Sequence, residues 1–89
     1  MWFTEIEWSE AIADKLWSKH RVELWEVEEA LRDAPDLRRG PGEIHYVRGR
    51  TQAGRYLFIV VAAERGPRKF RLVSAREMTD REKRDYRQR

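Results

Sequence analysis

The sequence predicts an α+β fold: a two-layer sandwich, an antiparallel sheet with helices laid on it, in the order β-α-α-β-β-β-α. Three observations predict it. Residues 56–63 (YLFIVVAA) are uncharged and rich in β-branched and aromatic side chains, as suits a strand buried on both faces. Residues 69–75 alternate after a turn at 64–68 (ERGPR), with Phe70, Leu72 and Ser74 in one phase and Lys69, Arg71, Val73 and Ala75 in the other, which makes an antiparallel hairpin. Two amphipathic segments precede this hairpin and a well-capped helix follows it, enough to cover one sheet face. The 89 residues make one domain, able to bury about 60–65% of its unfolded surface.

In chain order, residues 2–8 (WFTEIEW) alternate imperfectly, with Trp2, Thr4, Ile6 and Trp8 in phase, and predict a short strand. Ser9 caps a helix over 10–19 whose apolar stripe is Ile12, Ala13, Leu16 and Trp17, and His20-Arg21 ends it. A second helix over 23–32 gathers Leu24, Val27 and Leu31, and Ala34-Pro35 stops it because the residue before proline is pushed out of the helical region. Residues 36–42 read as a turn-rich connector, since Arg38-Arg39-Gly40-Pro41-Gly42 is poor material for regular structure. Residues 43–48 (EIHYVR) form a strand, and 50–54 a loop with Gly54 at positive φ. Thr79 with Glu82 three residues on is a capping box opening a helix over 80–88. Trp17 and Trp25 read as core, and Trp2 as the exposed tryptophan.

The chain has no cysteine, so disulfides and thiolate chemistry are out and a reducing cytosol fits. No run approaches the roughly 18 apolar residues of a membrane span, and the first ten residues are acidic where a secretory signal is basic. A soluble cytoplasmic protein is expected. Charge is divided along the chain. Residues 1–35 hold four Lys/Arg against nine Asp/Glu, a net of −5, and residues 36–89 hold fifteen against seven, a net of +8. Thirteen of those fifteen cations are Arg, whose flat fork suits phosphate. The back half therefore points to a polyanion, with an ion-pair-laced surface as the rival reading.

Only His20 and His45 are present, with no metal-ligand spacing, so no metal centre and no cofactor are expected. Glycine-rich phosphate loops and a nucleophile elbow are absent from the sequence. Metal-free cleavage of RNA remains open: it needs a base at the 2′-oxygen, cations for the charge on phosphorus and an acid for the leaving oxygen. Arg55, Arg71 and Arg76 lie on or beside the hairpin, with His45, Glu64 and Tyr86 as titratable neighbours, and Arg48 and Arg50 add cations at the end of the preceding strand and in the loop after it. Plainer roles stand beside these. Glu82 can be a cap partner, Tyr86 a packing residue, His45 a half-buried strand residue, Arg71 part of a solvated face. Lys19-His20 can offset a helix C-terminus.

Three segments resemble the BrnT family of type II toxin–antitoxin toxins. Trp8-Ser9-Glu10-Ala11 followed by Lys19-His20-Arg21-Val22 is similar to its W-D-E-A…K-H-G-V. Gly49-Arg50-Thr51-Gln52-Ala53-Gly54-Arg55, leading into Leu57-Phe58-Ile59-Val60-Val61, resembles its G…G-R-x-L-x-V-V stretch. Arg71-Leu72-Val73-Ser74-Ala75-Arg76 with Thr79, Glu82 and Tyr86 resembles R-I-I-S-A-R-x-A-[ST]-x-x-E-x-x-x-Y. Arg21 stands where the family has glycine, Ser9 where it has aspartate and Ile12 where a lysine is usual. The resemblance implies a RelE-like fold and a metal-independent endoribonuclease that cuts mRNA and stops translation. It also implies a BrnA-type antitoxin partner, with a homo-oligomer or a heterotetramer with the antitoxin as the assembly. Arg71 and Arg76 would then stabilise the phosphorane, with His45 or Glu64 as base and Tyr86 or His20 as acid. Arg55, Lys19, Arg48, Arg50 and Ser74 would bind RNA. The alternative is a non-catalytic nucleic-acid- or protein-binding module of the same fold.

Overall fold

The apolar run at 56–63 becomes the middle strand of a five-stranded sheet. The structure, a computed structural model, describes residues 5–32, 36–66 and 69–88. Its elements are β1 (Glu5–Glu7), α1 (Glu10–His20), α2 (Leu24–Arg32), β2 (Asp36–Arg39), β3 (Ile44–Arg50), β4 (Tyr56–Ala63), β5 (Lys69–Glu77) and α3 (Asp80–Arg87). The strand order is β1-β5-β4-β3-β2. An antiparallel meander runs from β2 to β5, and β1 pairs parallel to β5. The sheet is therefore mixed rather than antiparallel throughout, because two helices carry the chain from one edge to the other before the meander returns it.

The second correction is β2, which the turn signals hid. Leu37 packs on the core, and Asp36 lies opposite Arg48 and accepts from its Nε at 2.9 Å. Those tertiary contacts override local propensity, and the turn contracts to residues 40–43, where the Gly40 N–H donates to Ile44 O at 2.8 Å. The third is the phase of β5. Val61 pairs with Leu72 but Val60 with Ser74, so Val73 is an extra, bulged residue. A bulge moves later side chains to the other face. Leu72 and Ala75 thus enter the core, while Arg71, Ser74 and Arg76 share the opposite face.

The core lies between the helices and one sheet face: Leu16, Val22, Val27, Ala30 and Leu31 against Val47, Leu57, Ile59, Val61, Leu72 and Ala75. β4 is buried at Leu57, Ile59 and Val61 on that face; on the other, Ala62 is buried and Tyr56, Phe58 and Val60 are half-buried. α2 comes very close to β3, since a Cβ on Gly49 would sit 2.2 Å from the Ala30 carbonyl oxygen. The caps follow the sequence. Ser9 Oγ accepts from Ile12 N–H at 3.2 Å, and Arg21 closes α1 in the left-handed region (φ 54°) that glycine occupies more easily.

Trp17 and Trp25 are not core. They are 46% and 54% exposed, and Trp8 is 53% exposed. Leu16 takes the buried position of α1, so Trp17, one residue round the helix, faces outward with the Arg21 guanidinium 5.1 Å from its ring. Trp2 and Ala34-Pro35 lie outside the described residues. No helix among the described residues is long and apolar enough to cross a membrane.

Candidate functional site

The sheet face away from α1 and α2 presents Tyr46, Arg48 and Arg50 from β3, Tyr56, Phe58 and Val60 from β4, and Ser74 and Arg76 from β5. α3 lies against this face. Its capping box is complete: Thr79 Oγ1 accepts from Glu82 N–H at 3.2 Å, and Glu82 Oε1 accepts from Thr79 N–H at 2.9 Å. The same carboxylate receives the Arg76 fork, Nη1 at 2.8 Å and Nη2 at 3.0 Å. Hydrogen bonding from Arg76, helped by the Thr79 N–H, outweighs burial and lowers the Glu82 pKa to about 2. Arg76 is held with its Cζ 4.4 Å from the Phe58 ring centre. Glu82 is thus a cap partner and the anchor of an arginine at once.

Arg48 is buried and works as a rivet. It donates through Nε to Asp36 and through Nη1 to Asp85 at 3.2 Å, tying β2, β3 and α3 together. Burial works to raise the Asp36 pKa, but bonds and charge from Arg48 win and hold it below its ordinary value. Tyr86 is buried beneath α3, edge-on to Tyr56 at 5.9 Å and equally far from the Arg48 guanidinium. Tyr56 accepts from Arg87 Nε at 3.3 Å and has Arg50 6.0 Å from its ring. The Arg87 hydrogen bond, with the charges of Arg87 and Arg50, lowers its phenol pKa despite some desolvation.

The remaining candidates stand elsewhere. Arg71 is 56% exposed and donates through Nε to Glu64 at 3.2 Å, at the hairpin end of β5. Beside it is a cavity of about 260 Å³ lined by Glu7, Trp8, Ser9, Ile12, Arg71 and Leu72. Arg55 turns to the helix layer. It donates to Glu26 at 2.9 Å, to Glu77 at 2.8 Å, and to the carbonyls of Arg21 (2.7 Å) and His20 (3.2 Å). Lys19 is exposed near the end of α1. By register His45 shares the helix-side face with Val61, its Nδ1 3.3 Å from Glu43 O and its ring edge-on to Phe70. Arg48, Arg50, Ser74, Arg76 and Tyr86 therefore come together, whereas Arg71 with Glu64, Arg55 with His20 and Lys19, and His45 do not join them. Among the described residues no group of three or more His, Asp or Glu could hold a metal ion.

With this geometry laid out, one solved structure decides the fold. The 1.1 Å crystal structure of the Brucella abortus ribonuclease toxin BrnT matches with a TM-score of 0.70, covering 85% of this chain and 97% of that one. The chain has the BrnT fold. Sequence identity to that toxin is 14%, so the likeness carries the backbone arrangement and not the chemistry. No protein-family model matches the chain, and no curated protein does.

On this BrnT-like sheet, several residues outside the sequence-derived set take part: Tyr46, Tyr56, Phe58, Arg87, Asp36 and Asp85. The signal for three of them was available. Strict alternation puts Tyr46 in phase with Arg48 and Arg50, and Tyr56 in phase with Phe58, opposite the aliphatic positions Val47 and Ile59.

Proposed function

We propose that the chain is a BrnT-type ribonuclease toxin that cuts mRNA without a metal ion and is restrained by a BrnA-type antitoxin. The observation that carries this reading is Arg76, aimed on the open sheet face by Glu82 and Phe58 in the fold of a ribonuclease toxin. In such a reaction the 2′-oxygen attacks phosphorus, losing its proton to a base. Negative charge grows on the non-bridging oxygens, and the 5′-oxygen leaves with a proton from an acid. The Arg76 guanidinium answers the growing charge, while Glu82, ionised at neutral pH, keeps it in place.

Arg71 is five residues away on the same strand, about 16 Å at strand rise, so it serves a phosphate farther along the RNA rather than the same phosphorane. Tyr56, whose phenol is acidified by Arg87 and Arg50 on the same sheet face, is the group that transfers a proton in this scheme. Tyr86 buttresses its ring. Glu64, His45 and His20 stand outside the cluster and take no step in this scheme. The reading places the protein in the cytoplasm, where mRNA and translating ribosomes are.

The test is expression in bacteria together with RNA digestion in EDTA. Wild type should arrest growth and cut single-stranded RNA with chelator present, and Arg76→Ala, still folded by circular dichroism, should lose at least about a hundredfold in rate, as oxyanion donors do. Harmless expression with intact RNA overturns the enzyme. One observation favours the second reading, a non-catalytic binding module: Arg48, Arg55, Arg71 and Arg76 each hold a carboxylate of the chain itself. That module would bind RNA and leave it whole.

A further inference from the structure

Four residues line up across the open face, one per strand. Arg38 of β2 is directly opposite Tyr46 of β3, and Phe58 of β4 is directly opposite Arg76 of β5. Tyr46 and Phe58 are diagonal neighbours with ring centres 5.5 Å apart and planes tilted by 34°. Diagonal pairs of this kind are within reach of large side chains. The row reads cation, aromatic, aromatic, cation. At about 5 Å between strands it spans roughly 14 Å.

Tyr46 is fixed in place. A Cβ on Gly40 would come within 2.8 Å of Tyr46 Cε2, so the ring rests where only a glycine leaves room. On its other side is Phe58, which itself carries Arg76 at 4.4 Å. The rings are half-buried and lie on the face away from α1 and α2, outside the core cluster. Arg38 has 61% of its side chain exposed at the rim, with Asp36 3.4 Å from its Nε.

We propose that Tyr46 and Phe58, flanked by Arg38 and Arg76, form a stacking platform for the bases of single-stranded RNA. The inference rests on the reading that RNA binds this face, and adds which part of RNA is gripped and by what. Unpaired bases stack on aromatic rings whatever their identity, and arginines on either side meet the backbone phosphates. A duplex hides its base faces and cannot use the platform. The bracketing guanidinium groups favour a ligand that carries a phosphate next to each base.

The experiment measures fluorescence anisotropy of a short labelled 2′-O-methyl oligonucleotide, which has no 2′-hydroxyl to attack and so binds uncut. Tyr46→Leu keeps apolar contact with Gly40 and Phe58 but removes the π-face. It should weaken binding about tenfold, while Tyr46→Phe stays within about twofold. The salt dependence of Tyr46→Leu should match wild type, because no phosphate contact is lost. Melting temperatures of the two variants show whether either has simply unfolded. If wild type binds with a steep salt dependence and Tyr46→Leu binds equally well, the platform is wrong and the RNA reading stands. If wild type binds neither this oligonucleotide nor unmodified RNA, both fall.

Discussion

Glu82 joins a helix cap, which the sequence suggests, to an arginine clamp, which the fold adds, and the union has a measurable consequence. Its carboxyl has a pKa of about 2 against an ordinary 4.5. A folded-state pKa below the unfolded one gives stability that is complete above about pH 4.5 and is lost as the pH falls toward 2. The bare shift would correspond to about 3 kcal/mol, but the pair is partly open to water, which screens it to roughly 1 kcal/mol. Glu82→Gln keeps an acceptor for the cap and removes the ion pair. Urea denaturation should therefore show the variant about 1 kcal/mol less stable at pH 7, with the gap closing by pH 2. A gap that does not change with pH would mean that the ion pair adds nothing.

Gly49 gives a second residue-scale expectation. Ala there would drive its methyl into a backbone carbonyl 2.2 Å away, which cannot rotate aside as a flexible side chain can. α2 must lift off β3, at a cost of about 3 kcal/mol by denaturant titration.

Among elements, the parts legible in the sequence are those written locally. Ser9 and the Thr79–Glu82 pair mark two helix starts, Gly54 and Gly66 take positive φ, and the aliphatic run makes β4. β2 was illegible because its partners are Arg48, twelve residues on, and a core that exists only after folding. The bulge at Val73 was illegible because alternation counted through it still looks regular. That slip mattered for the site, since it decides that Ser74 and Arg76 share the open face. Tyr46 and Phe58 were missed because aromatic strand residues read first as core.

Arg55 shows the same limit. Its place beside the central strand suggests a backbone grip, yet it binds the C-terminal carbonyls of α1, Glu26 of α2 and Glu77 of β5. Burial works against its charge, and the bonds from Glu77 and Glu26 more than offset this, raising its pKa. A lysine cannot reproduce a fork that serves four acceptors. Arg55→Lys should cost about 2 kcal/mol in thermal or chemical denaturation and leave RNA affinity unchanged. A fall in affinity with stability intact would return Arg55 to the RNA surface.

At the scale of the whole molecule, both readings of the charge pattern have residues behind them, and salt separates their weights. Arg48, Arg55, Arg71 and Arg76 are engaged by the chain's own carboxylates. Arg39, Arg50, Arg81, Arg84 and Arg87 are exposed and have no carboxylate partner among the described residues. If three or four of this second set meet phosphates of a single strand, log K should fall against log salt with a slope of roughly −2 to −3. Affinity would then drop about thirtyfold between 50 and 200 mM salt. Arg50 and Arg87 flank Tyr56 on the open face, so changing both to Ala should make the slope shallower by roughly one and a half. Changing Arg39 and Arg65, which lie outside the α3 cluster, should change it less. A flat salt dependence would assign the cations to holding the fold together, and no arrangement of arginines on the sheet could then count as a phosphate site.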